Sequence, residues 1–455
     1  MSGRGIPRHV VALLLLIALS GFGQQTPESL VARAASLIEA RNFSEASKLV
    51  SRSLQRYPDE EQLWNLLGIS EGELGRSDSA HQAFEHGLQS SPNSISLHEN
   101  LGFLYYREGN YAESKRYLNK AVSLGSKNPG VLFSLAASRA RTGERDQALV
   151  DLKSLEPALS TNPEFWVEFG RTQLHKDPAA AEVSFSRALA LAPNDVQALN
   201  GAASAAEMQQ LDEKALSLLL RAKRANPNDV GTLIHLGQVC LRRDLTIDAL
   251  STLEQAYKLA PSSKTALYFY ARANIGVQQW QKAYDLFSEF TRRVPTFSPA
   301  YYALGWLDIK LNRRTDARRN LEHCLQLTPD SVDPLYELGQ LDLEDGRLDS
   351  AEKRLGRALE LDPRHGKANA AYGDILLKRG DLEQAKARLE AAIKSDPGSG
   401  VFHYKLSTVL FRMNRVEQAQ RERAIGTQLN AEALKSSKTV LRLAAPDGKL
   451  LSETP

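Results

Sequence analysis

The chain has 455 residues, with 57 Lys or Arg against 54 Asp or Glu and a formal net charge of +3. That near balance excludes the strong basic excess of a dedicated nucleic-acid binder, and an apolar content of 42% excludes global disorder. Two cysteines, Cys240 and Cys324, leave no disulfide framework and no Cys-rich zinc site.

The first element is an address. Arg4 and Arg8 precede an apolar run from Val10 to Leu19, and the small residues Ser20, Gly21 and Gly23 lead into Gln24 and Gln25. This order of charge, apolar core and small residues is that of a secretory signal peptide. The run is too short for the ~20 residues that cross a bilayer as a helix. No cysteine lies near the cleavage region and the two arginines are not adjacent, which argues against a lipoprotein anchor and a twin-arginine signal. Residues 1–23 are expected to be a cleaved signal, with an uncleaved amphipathic anchor as the alternative. The expected mature chain is periplasmic or secreted and carries no membrane span.

From residue 27 onward the chain is periodic. Prolines fall at Pro58, Pro92, Pro129, Pro163, Pro193, Pro227, Pro261, Pro295, Pro329, Pro363 and Pro397, and the last six steps are each 34 residues. Small residues keep stricter time: Ala46, Ala80, Ser114, Ala148, Ala181, Ala215, Ala249, Ala283, Ala317, Ala351, Ala385 and Ala419 are spaced by 34 with one step of 33. Twelve residues upstream of most of them lies a second small residue, such as Gly68, Gly102, Gly237, Gly305, Gly339 and Gly373; in the fifth repeat Gly170 is 11 upstream. Four residues downstream lies an apolar one, from Val50, Phe84 and Leu118 to Leu389, with Arg423 as the exception. One small residue per helix lets two antiparallel helices approach, and large apolar residues one turn away fill the gap to the neighbouring repeat. Turn-like stretches such as Glu108-Gly109-Asn110, Thr142-Gly143-Glu144, Glu344-Asp345-Gly346 and Arg379-Gly380-Asp381 separate the helices. Proline, which cannot continue a helix interior, divides one repeat from the next. No stretch of the repeat region sustains period-2 alternation, so strands are not expected there.

This pattern resembles the tetratricopeptide repeat family, whose period is 34 residues. Trp64-x2-Leu67-Gly68 and Leu304-Gly305 match its first-helix motif, and Ala317, Leu321 and Pro329 match its second-helix motif and stop. The resemblance covers about residues 27–434, or twelve repeats. It implies an all-α, right-handed α–α superhelical solenoid of about twelve helix–turn–helix repeats over residues 24–434, with a concave groove lined by first helices. Departures are a late proline in the third and fourth repeats, a shortened turn around Lys176-Asp177-Pro178 in the fifth, and Arg33 and Arg423 at the two ends. Polar ends suit capping repeats. The fifth repeat is the expected place for a bend, unless its shorter turn is only a local change. Residues 435–455 contain Thr439-Val440-Leu441-Arg442-Leu443, a Pro446-Asp447-Gly448 turn signal and Lys449-Leu450-Leu451, and read either as a short hairpin or as a frayed tail.

Motifs for catalysis are sparse. Gly68-Ile69-Ser70-Glu71-Gly72 has nucleophile-elbow spacing but lies within a repeat helix, the wrong context for that motif. The histidines are scattered, with no His-Glu-x-x-His pair and no phosphate-cradling loop. Cys240 and Cys324 are expected as buried, unpaired thiols. No enzyme activity, cofactor or metal is expected.

Two rows emerge when the repeats are aligned by family position. An aromatic row runs Tyr268, Tyr302, Tyr336 and Tyr404, with Phe269, Arg272 and Trp306 beside it. The resemblance implies that this position faces the groove, where rings hold an extended peptide or stack on sugars; the alternative is ordinary packing between helices. A basic row runs Arg107, Arg141, Arg242, Lys310, Lys378 and Arg412. In a groove it favours an acidic segment or anionic glycan; the alternative is cations stabilising helix C-termini. The functional expectation is a non-catalytic scaffold or adaptor in the cell envelope that binds a protein or peptide in its groove. The alternative is an adaptor in export or assembly of an extracellular polysaccharide. Nucleic acid is not an expected partner.

Overall fold

The computed structural model describes residues 26–435, so the expected signal segment and the expected tail hairpin lie outside the described residues. The described chain is 24 α-helices in twelve consecutive pairs, without a strand. It forms two compact bodies that divide at Leu211 and Asp212. The first holds eleven helices, from Pro27–Glu39 to Val196–Met208, and the second holds thirteen, from Asp212–Ala225 to Val416–Lys435. Each body is an α–α solenoid of antiparallel helix pairs, and the sixth pair contributes one helix to each. The division therefore falls in the sixth repeat, while the fifth lies within the first body.

The ruler of small residues is the core of every repeat. All twelve, from Ala46 to Ala419, are fully buried. Glycines opposite them are there because a large side chain from the second helix occupies the space. A Cβ on Gly102 would stand 2.5 Å from Leu118, one on Gly305 2.6 Å from Leu321, and one on Gly339 2.7 Å from Leu355. These leucines are fully buried, and each contributes about 1.5–3 kcal/mol by leaving water. Phe185 spans two repeats: it fills the space over Gly170 in its own and over Gly201 in the next.

Turn geometry is equally periodic. A residue with positive φ closes the turn inside eleven of the twelve repeats: Arg41, Gly75, Gly109, Gly143, Gln210, Asp244, Gln278, Asn312, Gly346, Gly380 and Asn414. The fifth repeat lacks one because its turn is a residue shorter. There Asp177 caps the second helix by accepting from Ala180 N at 2.9 Å, and Pro178 takes the first helical position, where its missing N–H costs nothing. Pro129 and Pro163, the two late prolines, also open helices, behind the caps Asn128 and Asn162.

The carbonyls at the repeat boundaries find donors in a common way. Trp64 Nε1 donates to Pro58 O at 2.6 Å, His98 Nε2 to Pro92 O at 3.0 Å, Trp166 Nε1 to Ser160 O at 2.8 Å and Asn369 Nδ2 to Pro363 O at 3.0 Å, each across six residues. Where leucine holds that register, a second helix supplies the donor: Gln255 Nε2 bonds Pro227 O at 3.0 Å and Arg293 Nη1 bonds Pro261 O at 2.6 Å. Either route satisfies an acceptor that the proline loop exposes.

Candidate functional site

The second body contains a cavity of about 840 Å³ between repeats nine and twelve. Helix Ser298–Lys310 contributes Tyr302 and Trp306, helix Val332–Glu344 contributes Asp333, Tyr336 and Glu337, and helix Gly366–Arg379 brings Lys367 behind Arg364 and His365. Phe402 and the loop at Asp396 complete the wall. Three of the expected aromatic residues, Tyr302, Trp306 and Tyr336, thus line one cavity. The family register explains their convergence, since corresponding first-helix positions stack from repeat to repeat.

Burial sets the chemistry of this wall. It raises the phenol pKa values of Tyr302 and Tyr336, which stay neutral hydrogen-bonding groups. Trp306 is buried, meets Trp280 edge to face with centroids 5.6 Å apart, and carries the Lys310 ammonium 4.9 Å from its ring centre. His365 Nδ1 accepts from Ala368 N at 3.0 Å, which places the ring proton on Nε2, 3.5 Å from Asp333 Oδ1. Glu337 is half-buried, and among the described residues no ion pair or hydrogen bond reaches its carboxylate. Burial pushes its pKa up from 4.5 to about 7; Lys367, Lys310 and His365 pull it down and Asp333 pushes it further up.

The remaining expected residues sit elsewhere. Tyr268 is fully enclosed by Phe287, Phe290 and Phe297, all within 5.7 Å between ring centres. It is a core ring and presents no face to a groove, because three phenylalanines of its own repeat and boundary loop surround it. Phe269 is also buried. Arg272 lies over both rings, at 5.9 Å from the centre of Tyr268 and 5.5 Å from that of Phe269, and burial lowers its pKa. Tyr404 is half-buried, with its hydroxyl 3.0 Å from Thr427 Oγ1 on the last helix.

Most of the basic row is engaged inside the chain. Arg107 pairs with Glu73 at 2.6 Å and donates to Gly72 O at 3.2 Å; Arg412 donates to Leu377 O at 3.3 Å. Arg242 faces Asp212 at 3.9 Å. Arg141 pairs at 2.9 Å with the buried Glu168, which also takes Arg171 at 2.9 Å. Such contacts tie a first helix to the neighbouring repeat, and they satisfy cations that were candidates for an anionic ligand.

Ser70 is fully buried in helix Glu61–Glu73 and donates to Leu66 O at 2.8 Å. Cys240 and Cys324 are free, buried thiols, and burial raises the pKa of both. Among the described residues no helix is long and apolar enough to cross a membrane, and no cluster of potential ligands suits a metal ion. Sequence reasoning missed Glu337, His365 and Lys367. The available signal was register: Glu337 stands two residues before Gly339, as Glu168 stands two before Gly170.

Family models described as tetratricopeptide repeat match residues 308–375, 343–399 and 376–423, residues 95–128, and residues 31–95 and 175–230. Together they span more than half of the chain, which belongs to the tetratricopeptide repeat proteins. No curated protein matches its sequence significantly. Among solved structures it is similar to the Cut9–Hcn1 hetero-tetramer of the APC/C, at 13% identity over 91% of this chain and 89% of that one, with a TM-score of 0.48. It is also similar to a tetratricopeptide repeat protein from Parabacteroides merdae, at 18% identity over 53% and 96% of the two chains with a TM-score of 0.45. YrrB, described as having an unusual peptide-binding site, matches at 17% identity over 40% and 95% with a TM-score of 0.35.

Proposed function

We propose that this chain is a non-catalytic adaptor of the cell envelope that binds an extended polypeptide in the cavity of repeats nine to twelve. The observation that carries the reading is the convergence of Tyr302, Trp306 and Tyr336 on one open cavity, beside the Glu337 carboxylate, which makes no ion pair or hydrogen bond among the described residues. Neutral aromatic groups of this kind bury apolar area while their polar ends orient a ligand. A helix-pair solenoid suits this task, because each repeat adds one more strip of rigid lining. The order of Arg4, Arg8 and the apolar run Val10 to Leu19 supports export from the cytoplasm.

Site-specific photo-crosslinking in cells tests the proposal. A photoreactive residue at Tyr336 is expected to trap a discrete polypeptide, and the same residue at Ile247, which is 76% exposed on a second helix, is expected to trap none. Equal labelling from both positions, or none from Tyr336, would overturn it. Fractionation and N-terminal sequencing test the envelope assignment: the exported form should begin near residue 24, and retention in the cytoplasm would refute export.

A further inference from the structure

In a polypeptide-binding cavity one group still lacks a role, the Glu337 carboxylate. Its counterpart in the first body shows what such a group ordinarily requires. Glu168 has the same register, two residues before the small residue of its first helix, and is neutralised by Arg141 of the preceding repeat and by Arg171 three residues on. The residues matching these two cations around Glu337 are Lys310 and Gln340. Lys310 places its ammonium over Trp306, and Gln340 is neutral and donates to Glu344 at 3.3 Å. Lys310 therefore acts on Glu337 only at a distance, without an ion pair, and no cation stands where Arg171 stands in the first body.

The charge balance of the cavity wall points the same way. Asp333, Glu337, Asp362 and Asp396 line the wall with Arg364 and Lys367, and with Lys310 over Trp306 counted as well the carboxylates still outnumber the Lys and Arg cations by one. Asp333 faces His365, and Asp362 and Asp396 accept from the backbone N–H of Arg364 at 3.0 Å and of Gly398 at 3.2 Å. Of these four carboxylates, only Glu337 combines partial burial, aromatic neighbours and no hydrogen bond of its own among the described residues. Tyr302, Trp306 and Tyr336 line the same space, and aromatic faces attract cations.

We infer that this cavity receives a basic side chain, Lys or Arg, of the bound polypeptide, with Glu337 as its counter-ion and Tyr302, Trp306 and Tyr336 as its aromatic walls. The ligand supplies the charge that Arg171 supplies to Glu168. This inference rests on the polypeptide reading, and its test separates the two.

The test selects a library of random dodecapeptides against the full chain at pH 8, then measures Kd for the best peptide and for its Lys→norleucine analogue. Selected peptides are expected to share one basic position. The norleucine analogue should bind about tenfold or more weakly, the value of a hydrogen bond to a charged group. Glu337→Gln should lose the same factor for the lysine peptide and leave the norleucine peptide unchanged, which also shows that the variant is folded. Gln340→Arg, which installs the missing internal cation, should act likewise. Selected peptides without a basic position, or a lysine peptide that binds Glu337→Gln as tightly as the parent, would overturn the inference and leave the polypeptide reading standing. Failure to select any peptide would overturn both.

Discussion

Glu168 and Glu337 occupy one register in two bodies of a single chain and have opposite surroundings. Glu168 is buried and holds two arginines at 2.9 Å. Glu337 lines a cavity with no cation in ion-pair contact among the described residues. The repeat fixes where a side chain points, and its neighbours decide whether that side chain belongs to the structure or to a ligand. In the first body the carboxylate binds adjacent repeats together, and removing its partners would strand a buried charge. In the second the carboxylate makes no ion pair or hydrogen bond among the described residues, and burial raises its pKa.

The largest expected effect comes from converting the first situation into the second. Replacing Arg141 and Arg171 together by Met leaves Glu168 unpaired and should destabilise the first body by about 3–5 kcal/mol. Urea unfolding followed by the emission of Trp166, two residues from Glu168, measures it. Adding Glu168→Gln to that background should recover most of the loss. Failure to recover would mean that the arginines act through packing and not through the carboxylate.

Most of the fold was legible because the repeat is written in residues with a single role. The small residues of the ruler are all buried at the helix contacts, and Gly109, Gly143, Gly346 and Gly380 all carry positive φ in the turns that their sequence context implies. The site was legible only in part. Register placed Tyr268, Tyr302 and Tyr336 in one row, yet Tyr268 is enclosed because Phe287, Phe290 and Phe297 happen to surround it. The basic residues do form a row, but the partners of Arg107 and Arg141 lie 34 and 27 residues away, on neighbouring repeats. A cation and its partner one repeat apart are invisible to local pattern, and the absence of a partner is harder still to see. Gln340 announces the missing ion pair of Glu337 only once it is aligned with Arg171.

The next effect depends on pH. Glu337 has a folded pKa of about 7 against 4.5 for an unperturbed carboxyl. Between those values the folded chain binds the proton and the unfolded chain does not, so stability falls as pH rises through this window. Glu337→Gln cannot ionise and should be more stable than the parent above pH 7, by about 3–4 kcal/mol at ~1.4 kcal/mol per pKa unit. Below pH 4 the two should unfold alike. Urea titrations at pH 4 and pH 8 check this, and a pH-independent difference would show that the variant alters packing and not charge. Gln340→Arg should sharpen the same comparison from the other side. It restores the i,i+3 partner that Glu168 has, and should stabilise the second body by ~1 kcal/mol at pH 8 while flattening the pH dependence.

The smallest effect calibrates the others. Gln278 closes the turn of the eighth repeat at φ 61°, a conformation that costs an L residue about 1–2 kcal/mol relative to its right-handed counterpart. Glycine adopts it freely, but glycine also loses more backbone entropy on folding, by roughly 0.5–1 kcal/mol. Gln278→Gly should therefore stabilise by about 0–1.5 kcal/mol. Because no charge changes, the gain should be equal at pH 4 and pH 8. A pH-dependent gain from this turn would show that the slope assigned to Glu337 reports on the second body at large, and the contrast between the two glutamates would lose its local meaning.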